Sequence, residues 1–341
     1  MKFHVGYQAD ERFKQVLLTH AAQIGELYFP WDDFTTGRGI NSREQQRQLE
    51  NDLTDFAAAG IKFDLLLNGN CYGRQALSRA FYQRIGDTVD MLGSTYGLNA
   101  VTTASVVIAK FLKANFPELK IRASVNMEIG TPEGVEYLLD LFDSFYLKRE
   151  YNQDLAVLTR MKKFCTGHGK QLFILANSGC LNFCSARTFH DNLVAHQHEV
   201  SEMDNAFEFP GLCHEFLAQE SAKSQLLSHS NFIRPEDVAL YENLCDGMKL
   251  ATRTNPKPAA VAAAYFNGRW HGNILDLTEP AHARHFLPEI ISNDLFPADY
   301  ASKRFNCSKK CESCSYCCDI QKQATVKLTD FLITEGANEK C

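Results

Sequence analysis

Short apolar runs recur along the chain, and most are followed by a stretch with helical spacing. The runs lie at residues 3–7, 26–29, 63–67, 100–102, 121–125, 144–147, 172–176 and 248–251. Each is short enough for a strand, and several are apolar without alternation, the pattern of strands buried on both faces. Helical patterns lie at 12–22, 44–59, 76–92, 106–115, 132–142, 153–165 and 258–266. The stretch at 132 opens with Thr131 as N-cap, Pro132 at the first helical position and Glu133 in the first turn. A further helix is predicted to start at Arg234-Pro235-Glu236-Asp237, just ahead of the last run. Strands alternating with helices predict parallel pairing, and eight units in about 250 residues predict an α/β, (β/α)8 TIM-like barrel. An open doubly wound sheet is the alternative. Against it, the first strand runs into Tyr7-Gln8-Ala9-Asp10 and not into a glycine-rich dinucleotide turn.

One spacing is out of proportion. About 70 residues separate the seventh run from the eighth, a long insertion at what would be the functional end of the barrel. The predicted organisation is a barrel over residues 1–275, with an insertion at 177–234, and a cysteine-rich C-terminal extension over 276–341.

Of the 341 residues, 45% are hydrophobic and 22% charged, enough apolar matter for a sizeable core. The net charge of -6 argues against non-specific attraction to nucleic acid or anionic membrane. No apolar run reaches membrane-spanning length, and the opening residues MKFHVGYQADERF hold no signal-peptide core, so a cytoplasmic protein is expected. In a reducing compartment, twelve cysteines read as metal ligands or catalytic groups before disulfides. Cys165 and Cys245 fall in helical patterns and are expected to be core thiols.

In a barrel of this kind the groups just after each strand converge on one face. Here they are Asp10, Asp32, Asp33, Arg38, Asn68, Cys71, Thr103, Asn126, Glu128, Arg149, Asn152, Cys180, Cys184, Arg253 and Asn255. Cys213, in the insertion, can fold back over the same mouth. Cys71, Cys180, Cys184 and Cys213 supply the thiolate count of a 4Fe-4S cluster, and zinc on four thiolates has the same count. Arg38, Arg149 and Arg253 suit an anionic substrate, unless each pairs with a barrel acid such as Asp32 or Glu128. His190, His196 and His198 crowd one segment; zinc ligation is one reading and a surface or supporting role another, with His190 the candidate acid–base group. Neither a His-Glu-x2-His helix nor a Gly-x-Ser-x-Gly elbow is present.

The tail packs Cys307, Cys311, Cys314, Cys317 and Cys318 into twelve residues. A metal or second cluster, or a zinc knuckle, fits this density, as does donation of thiols to the barrel site. Its Cys-x3-Cys-x2-Cys spacing also matches the radical S-adenosylmethionine pattern, but it follows the barrel and does not open it. Lys303, Arg304, Lys309 and Lys310 are expected to favour thiolate there.

Several motifs together resemble peptidase family U32. They are Asn177-Ser178-Gly179-Cys180-x3-Cys184-x5-His190 with Asn192, Leu193 and His196, Leu67-Asn68-x2-Cys71-Tyr72-Gly73, Ser124-Val125-Asn126, Leu147-x-Arg149-x2-Asn152 and Phe232-Ile233-Arg234-Pro235-Glu236-Asp237. The resemblance covers about residues 1–275, although the cysteine spacings differ from those of the best-known members. It implies a barrel holding a 4Fe-4S cluster on four cysteines. The implied activity is oxygen-independent redox or hydroxylation chemistry in cofactor biosynthesis or RNA modification, on an anionic or aromatic small-molecule or RNA-borne group. An electron donor and a homologous partner chain are the implied partners. By motif position the cluster ligands would be Cys71, Cys180, Cys184 and Cys213. His190, Arg149, Asn126 and Glu128 would be catalytic, and Arg38, Asn68, Asn152 and Arg253 would hold substrate. Outside the resemblance, the density of tail thiols makes Cys307, Cys311, Cys314 and Cys317 the expected ligands of the second metal. The competing functions are a metal-dependent peptidase or hydrolase, a non-catalytic cluster-holding subunit and a radical S-adenosylmethionine enzyme.

Overall fold

The computed structural model describes residues 1–32, 34–39 and 42–329. Eight parallel strands close into a barrel in sequence order. They are β1 (Phe3–Gly6), β2 (Ile24–Phe29), β3 (Phe63–Leu67), β4 (Leu98–Thr103), β5 (Lys120–Ala123), β6 (Ser144–Tyr146), β7 (Gln171–Leu175) and β8 (Gly247–Leu250). β8 closes on β1 with Phe3 opposite Met248 and Val5 opposite Leu250. Crossovers run through α1 (Glu11–Thr19), α2 (Arg43–Ala58), α3 (Arg79–Tyr96), α4 (Val106–Asn115), α5 (Pro132–Glu136) and α6 (Leu155–Gly167). Four short helices fill the insertion: α7 (Arg187–Ala195), α8 (Gln197–Ser201), α9 (Leu212–Leu217) and α10 (Glu220–Lys223). After β8 come α11 (Pro258–Asn267), a β9 strand (Glu289–Ile291), α12 (Tyr300–Phe305), α13 (Tyr316–Ala324) and β10 (Thr325–Lys327), which pairs antiparallel with β9. Among the described residues no helix is long and apolar enough to cross a membrane.

Strand alternation sorts the core into two layers. Phe3, Val5, Leu27, Leu65, Val101, Ile121, Phe145, Met248 and Leu250 belong to the layer between barrel and helices. The bore is largely polar. Arg122 is bonded to both oxygens of Glu26 and donates to Asp64 Oδ2 at 3.2 Å, which also accepts from Thr102 Oγ1 at 2.6 Å. His4 Nδ1 lies 2.7 Å from Tyr146 Oη, and Phe173 stacks beside His4 with ring centres 4.4 Å apart. Tyr28 crosses the bore to donate to Leu250 O at 2.8 Å. A Cβ at Gly6 would lie 2.6 Å from the Tyr28 ring, so only glycine admits that crossing.

Two expected helices are reshaped. The pattern at 132–142 gives only Pro132–Glu136, after which tighter turns take over, with Leu138 N bonding Val135 O and Leu141 N bonding Leu138 O. The chain then reaches β6 within a few residues, and Phe142 and Phe145 bury against each other. The segment at Arg234-Pro235 forms a 3-10 helix over Pro235–Tyr241, its start fixed by Arg234 Nε donating to Asp237 Oδ2 at 2.8 Å.

The chain beyond 275 packs on the barrel. Phe286, Tyr300 and Ile320 join the main core. Buried Arg304 donates to Gln153 Oε1, Leu227 O and Ser230 O at 2.8–3.1 Å, tying α12 to the loop before α6 and to the insertion. Before that, residues 277–282 run across the barrel mouth, where Gly179 N donates to Glu279 O at 2.9 Å. At Gly179 a Cβ would sit 1.9 Å from Pro280 O, so this close approach requires glycine.

Candidate functional site at the barrel mouth

The loop after β7 turns sharply at Asn177. Its side chain accepts from Ala251 N at 2.6 Å and donates to Ala251 O and Leu277 O at 2.8 Å, locking the ends of β7 and β8 to the returning segment. The loop then presents Cys180 and Cys184 to a cavity of about 380 Å3. Cys213, at the start of α9, lines the same cavity, as do Arg38, Arg149, Arg187, His190, Asp191, His214 and Glu279.

Cys180 is polarised by direct contact with a guanidinium. Arg149 Nη1 donates to its Sγ at 3.2 Å. Burial alone would raise its pKa, but the guanidinium charges of Arg149, Arg187 and Arg38 outweigh burial and hold it below the usual thiol value. Cys213 moves the other way, pushed up to about 11 by burial and by the negative charge of its neighbours Cys180 and Cys184. Cys180 is therefore held toward thiolate and Cys213 toward the neutral thiol.

Cys71 stands apart. It does not line the cavity; its thiol is hydrogen-bonded to His196 between α7 and α8, and that bond lowers its pKa. His196 in turn lies 3.0 Å from Glu199 Oε2, and its pKa is raised by its bonds to Cys71 and Glu199.

A second, smaller cavity of about 60 Å3 continues down into the bore between Tyr28, Asn68, Asn126, Arg149, Lys249, Arg253 and Glu279. Arg38, Arg149 and Glu279 line both cavities, so the two adjoin. Arg38 donates to Glu279 Oε1 at 3.0 Å, an acid from the returning segment and not Asp32 or Glu128. Arg149 Nη2 lies 3.4 Å from Asn126 Oδ1. Arg253 is half-buried and donates to one neutral group, Thr36 Oγ1, at 3.0 Å, and the loss of hydration in the site lowers its pKa to about 10. Asn68 Oδ1 accepts from Gly37 N at 3.2 Å, and Asn126 donates to Asn68 O at 3.4 Å. His190 is kept below its ordinary pKa, first by burial.

Other expected site residues are engaged elsewhere. Asn152 is 0% exposed and clamps Leu175 O and Asn231 O at 2.7 and 3.2 Å, holding β7 against the insertion and lining neither cavity. Glu128 is paired with Arg187 Nε at 3.0 Å and Lys148 Nζ at 3.6 Å and also lines neither cavity. Asp10 caps α1, accepting from Phe13 N at 2.6 Å, and Asn255 bonds Asp276 O and Thr278 O. Asp33 lies outside the described residues.

Sequence reasoning missed three features. Glu279 belongs to no barrel strand, so counting strands does not reach it. Lys249 is the one charged residue of β8, a legible signal within Met248-Lys249-Leu250. The third is a histidine trio. Candidate ligand nitrogens of His214, His282 and His285 lie within 4.8 Å of one another. His282 donates through Nε2 to Gly179 O at 2.8 Å, which leaves its buried Nδ1 without a partner. His214 Nδ1 is 2.9 Å from His285 Nε2 and accepts from Arg284 at 2.9 Å. A His-x2-His spacing at 282–285 was the available cue.

In the tail, Cys307, Cys311, Cys314 and Cys317 line one cavity of about 190 Å3, which shares no lining residue with the mouth. The flanking cations do not all act as expected. Lys309 Nζ is drawn to Gln153 O at 3.0 Å. Cys317 accepts from Arg304 at 2.6 Å, yet burial outweighs the guanidinium and leaves its pKa raised.

No known family profile matches the chain. A protein named an uncharacterized protease in Methanocaldococcus jannaschii is 25% identical over 312 residues, 88% of each chain. The solved structure of the U32 peptidase Mk0906 shares the fold at a TM-score of 0.54 and 14% identity, covering 73% of this chain and 91% of that one.

Proposed function

The motif order, the archaeal relative and the shared barrel support peptidase family U32 as the family of this chain, and from that premise we propose that it is an iron–sulfur enzyme acting on an anionic substrate at the barrel mouth. The observation that carries this reading is the meeting of Cys180, Cys184 and Cys213 around one cavity walled by guanidinium groups. The donor set fits a 4Fe-4S cluster. Three thiols converge, Arg149 already favours thiolate at Cys180, and the surrounding arginines offset the negative charge such a group brings. Cys71 is the proposed fourth ligand, released from its bond to His196. When bound, the cluster would supply electron transfer or Lewis-acid iron for an oxygen-independent redox or hydroxylation step.

The chain's own residues do the rest. Arg253 and Arg149, which meet no carboxylate among the described residues, take the anionic group of the substrate in the lower cavity. Asn68 and Asn126, which line the same cavity, fix its orientation. His190, kept neutral by burial, accepts a proton from the reacting group at the edge of the upper cavity. Glu279 holds Arg38 in place and closes the mouth from the returning segment. An electron donor would dock from outside, and a homologous chain is the proposed partner. A cytoplasmic site of action suits exposed cluster chemistry. Cys307, Cys311, Cys314 and Cys317 are proposed as a separate zinc or cluster site.

One observation favours a second reading, a metal-dependent peptidase or hydrolase. The trio His214, His282 and His285 reaches the same cavity through His214, and the relative in Methanocaldococcus carries a protease name. A metal held there would supply an activated water. Anaerobic purification followed by iron, acid-labile sulfide and zinc assay separates the two. The cluster reading expects iron and sulfide in equal amounts. Stoichiometric zinc with no sulfide, lost in His282→Ala, would replace it with the hydrolase.

A further inference from the structure

The floor of the mouth holds a group that neither reading uses. Lys249 sits between Met248 and Leu250, both buried in the helix-facing layer, so strand alternation turns its side chain into the bore. The residue is only 7% exposed, and it lines the lower cavity. Its Nζ lies 3.8 Å from the centre of the Tyr28 ring and 5.1 Å from that of Tyr146. Among the described residues it has no hydrogen-bond or ion-pair partner. A buried amine set on aromatic faces, with no carboxylate in contact, is an unusual resting state for a lysine.

The charges around it account for this. From β2, Glu26 is consumed by Arg122 of β5, which also takes Asp64 Oδ2 of β3. Asp64 Oδ1 is buried without a partner. Above the amine stand Arg38, Arg149 and Arg253, against the single carboxylate of Glu279. His4 of β1 is neutral, its pKa lowered to about 3 mainly by burial. Burial, then the charges of Arg122, Arg253 and Arg38, outweigh Asp64 and bring Lys249 down to about 7. The amine is therefore substantially unprotonated at neutral pH, when an exposed lysine is not.

We propose that Lys249 is a nucleophilic lysine that forms an imine with the carbonyl of a small 2-oxo acid, whose carboxylate is held by Arg253 and Arg149 at the top of the same cavity. The volume of about 60 Å3 admits a molecule of a few heavy atoms. The step balances without any other reactant. The Nζ lone pair attacks the carbonyl carbon, and the former carbonyl oxygen takes one proton from nitrogen to give the carbinolamine. That oxygen leaves as water with the second nitrogen proton as the C=N bond forms, and nothing is oxidised or reduced. The role of Arg253 and Arg149 rests on the anionic-substrate reading above, whereas the imine at Lys249 holds whether or not the thiols above carry a cluster.

Reductive trapping tests it on the full chain. The protein is incubated with pyruvate and cyanoborohydride at pH 7 and digested, and the modified peptide is identified by mass. The expected result is one carboxyethyl group per chain, on the peptide holding Lys249. Acetone, a ketone without the carboxylate, should label that peptide at least about tenfold more slowly, the scale of one charge-assisted contact. Lys249→Met should remove the adduct, and Arg253→Gln should slow it, with thermal melting checking that both variants fold. Pyruvate adducts spread over exposed lysines, with none at Lys249 in the unmutated protein, would overturn the proposal without reference to any variant. Equal rates for pyruvate and acetone would overturn the role given to the guanidiniums.

Discussion

Arg149 and Cys180 set the chemistry of the mouth between them. The 3.2 Å contact keeps the thiol ionisable although it is buried. Replacing Arg149 with methionine removes the largest charge effect opposing burial. The thiol pKa should rise, and alkylation of Cys180 at pH 7 by iodoacetamide should slow by about tenfold for each unit of that rise. An unchanged rate would assign the polarisation to Arg187 and Arg38 instead. His4 gives a second prediction at this scale. Burial holds its folded pKa near 3, below the ordinary 6.5 of the unfolded chain. The unfolded state therefore binds this proton first, and the stabilising contribution is present above pH 6.5 and lost as pH falls toward 3. Between pH 7 and pH 4 the loss from this one group is about 3 kcal/mol. Urea unfolding at the two pH values should show a difference smaller by about that amount in His4→Asn.

At the scale of elements, the turn after β7 and the segment at 277–282 are one unit, joined by Asn177, Gly179 and Glu279. An alanine at Gly179 drives its Cβ into Pro280 O, so the returning segment must lift. The expected result is a stability loss of about 2–4 kcal/mol, read by thermal melting, together with weaker substrate binding as Glu279 withdraws from Arg38. The eight strands were legible because parallel strands buried on both faces leave unbroken apolar runs, each followed by polar residues. The helix at 132–142 was not, because periodicity cannot register how soon the chain must turn back into β6. Cys180 and Cys184 could be placed at the mouth by strand counting and by motif order, and Cys213 only by its place in the insertion after β7. Glu279 could not, since it comes from beyond the last strand and reaches the mouth only through tertiary packing. Asn152 shows the converse: a polar residue just after a strand, yet spent on backbone clamps to Leu175 and Asn231.

The whole molecule carries a net charge of -6, yet its mouth gathers Arg38, Arg149, Arg187 and Arg253 within two adjoining cavities. An anion is therefore drawn to one place on a surface that otherwise repels it. Binding of an anionic ligand, measured by calorimetry, should weaken as salt is raised from 0.05 to 0.5 M by a larger factor in the unmutated protein than in Arg253→Gln, since the variant has one unpaired cation fewer. The tail adds a second thiol-lined cavity anchored through Arg304, separate from the mouth in every lining residue. Metal lost from one site should leave the other unaffected. The central claim is that the mouth thiols hold an iron–sulfur cluster. The most direct measurement is iron and acid-labile sulfide, with visible absorbance, in anaerobically prepared Cys184→Ala beside a chain whose Cys307, Cys311, Cys314 and Cys317 are replaced by serine. The account predicts that the tail variant keeps about four iron and four sulfide at the mouth, and that Cys184→Ala loses them. A full cluster retained in Cys184→Ala would contradict it.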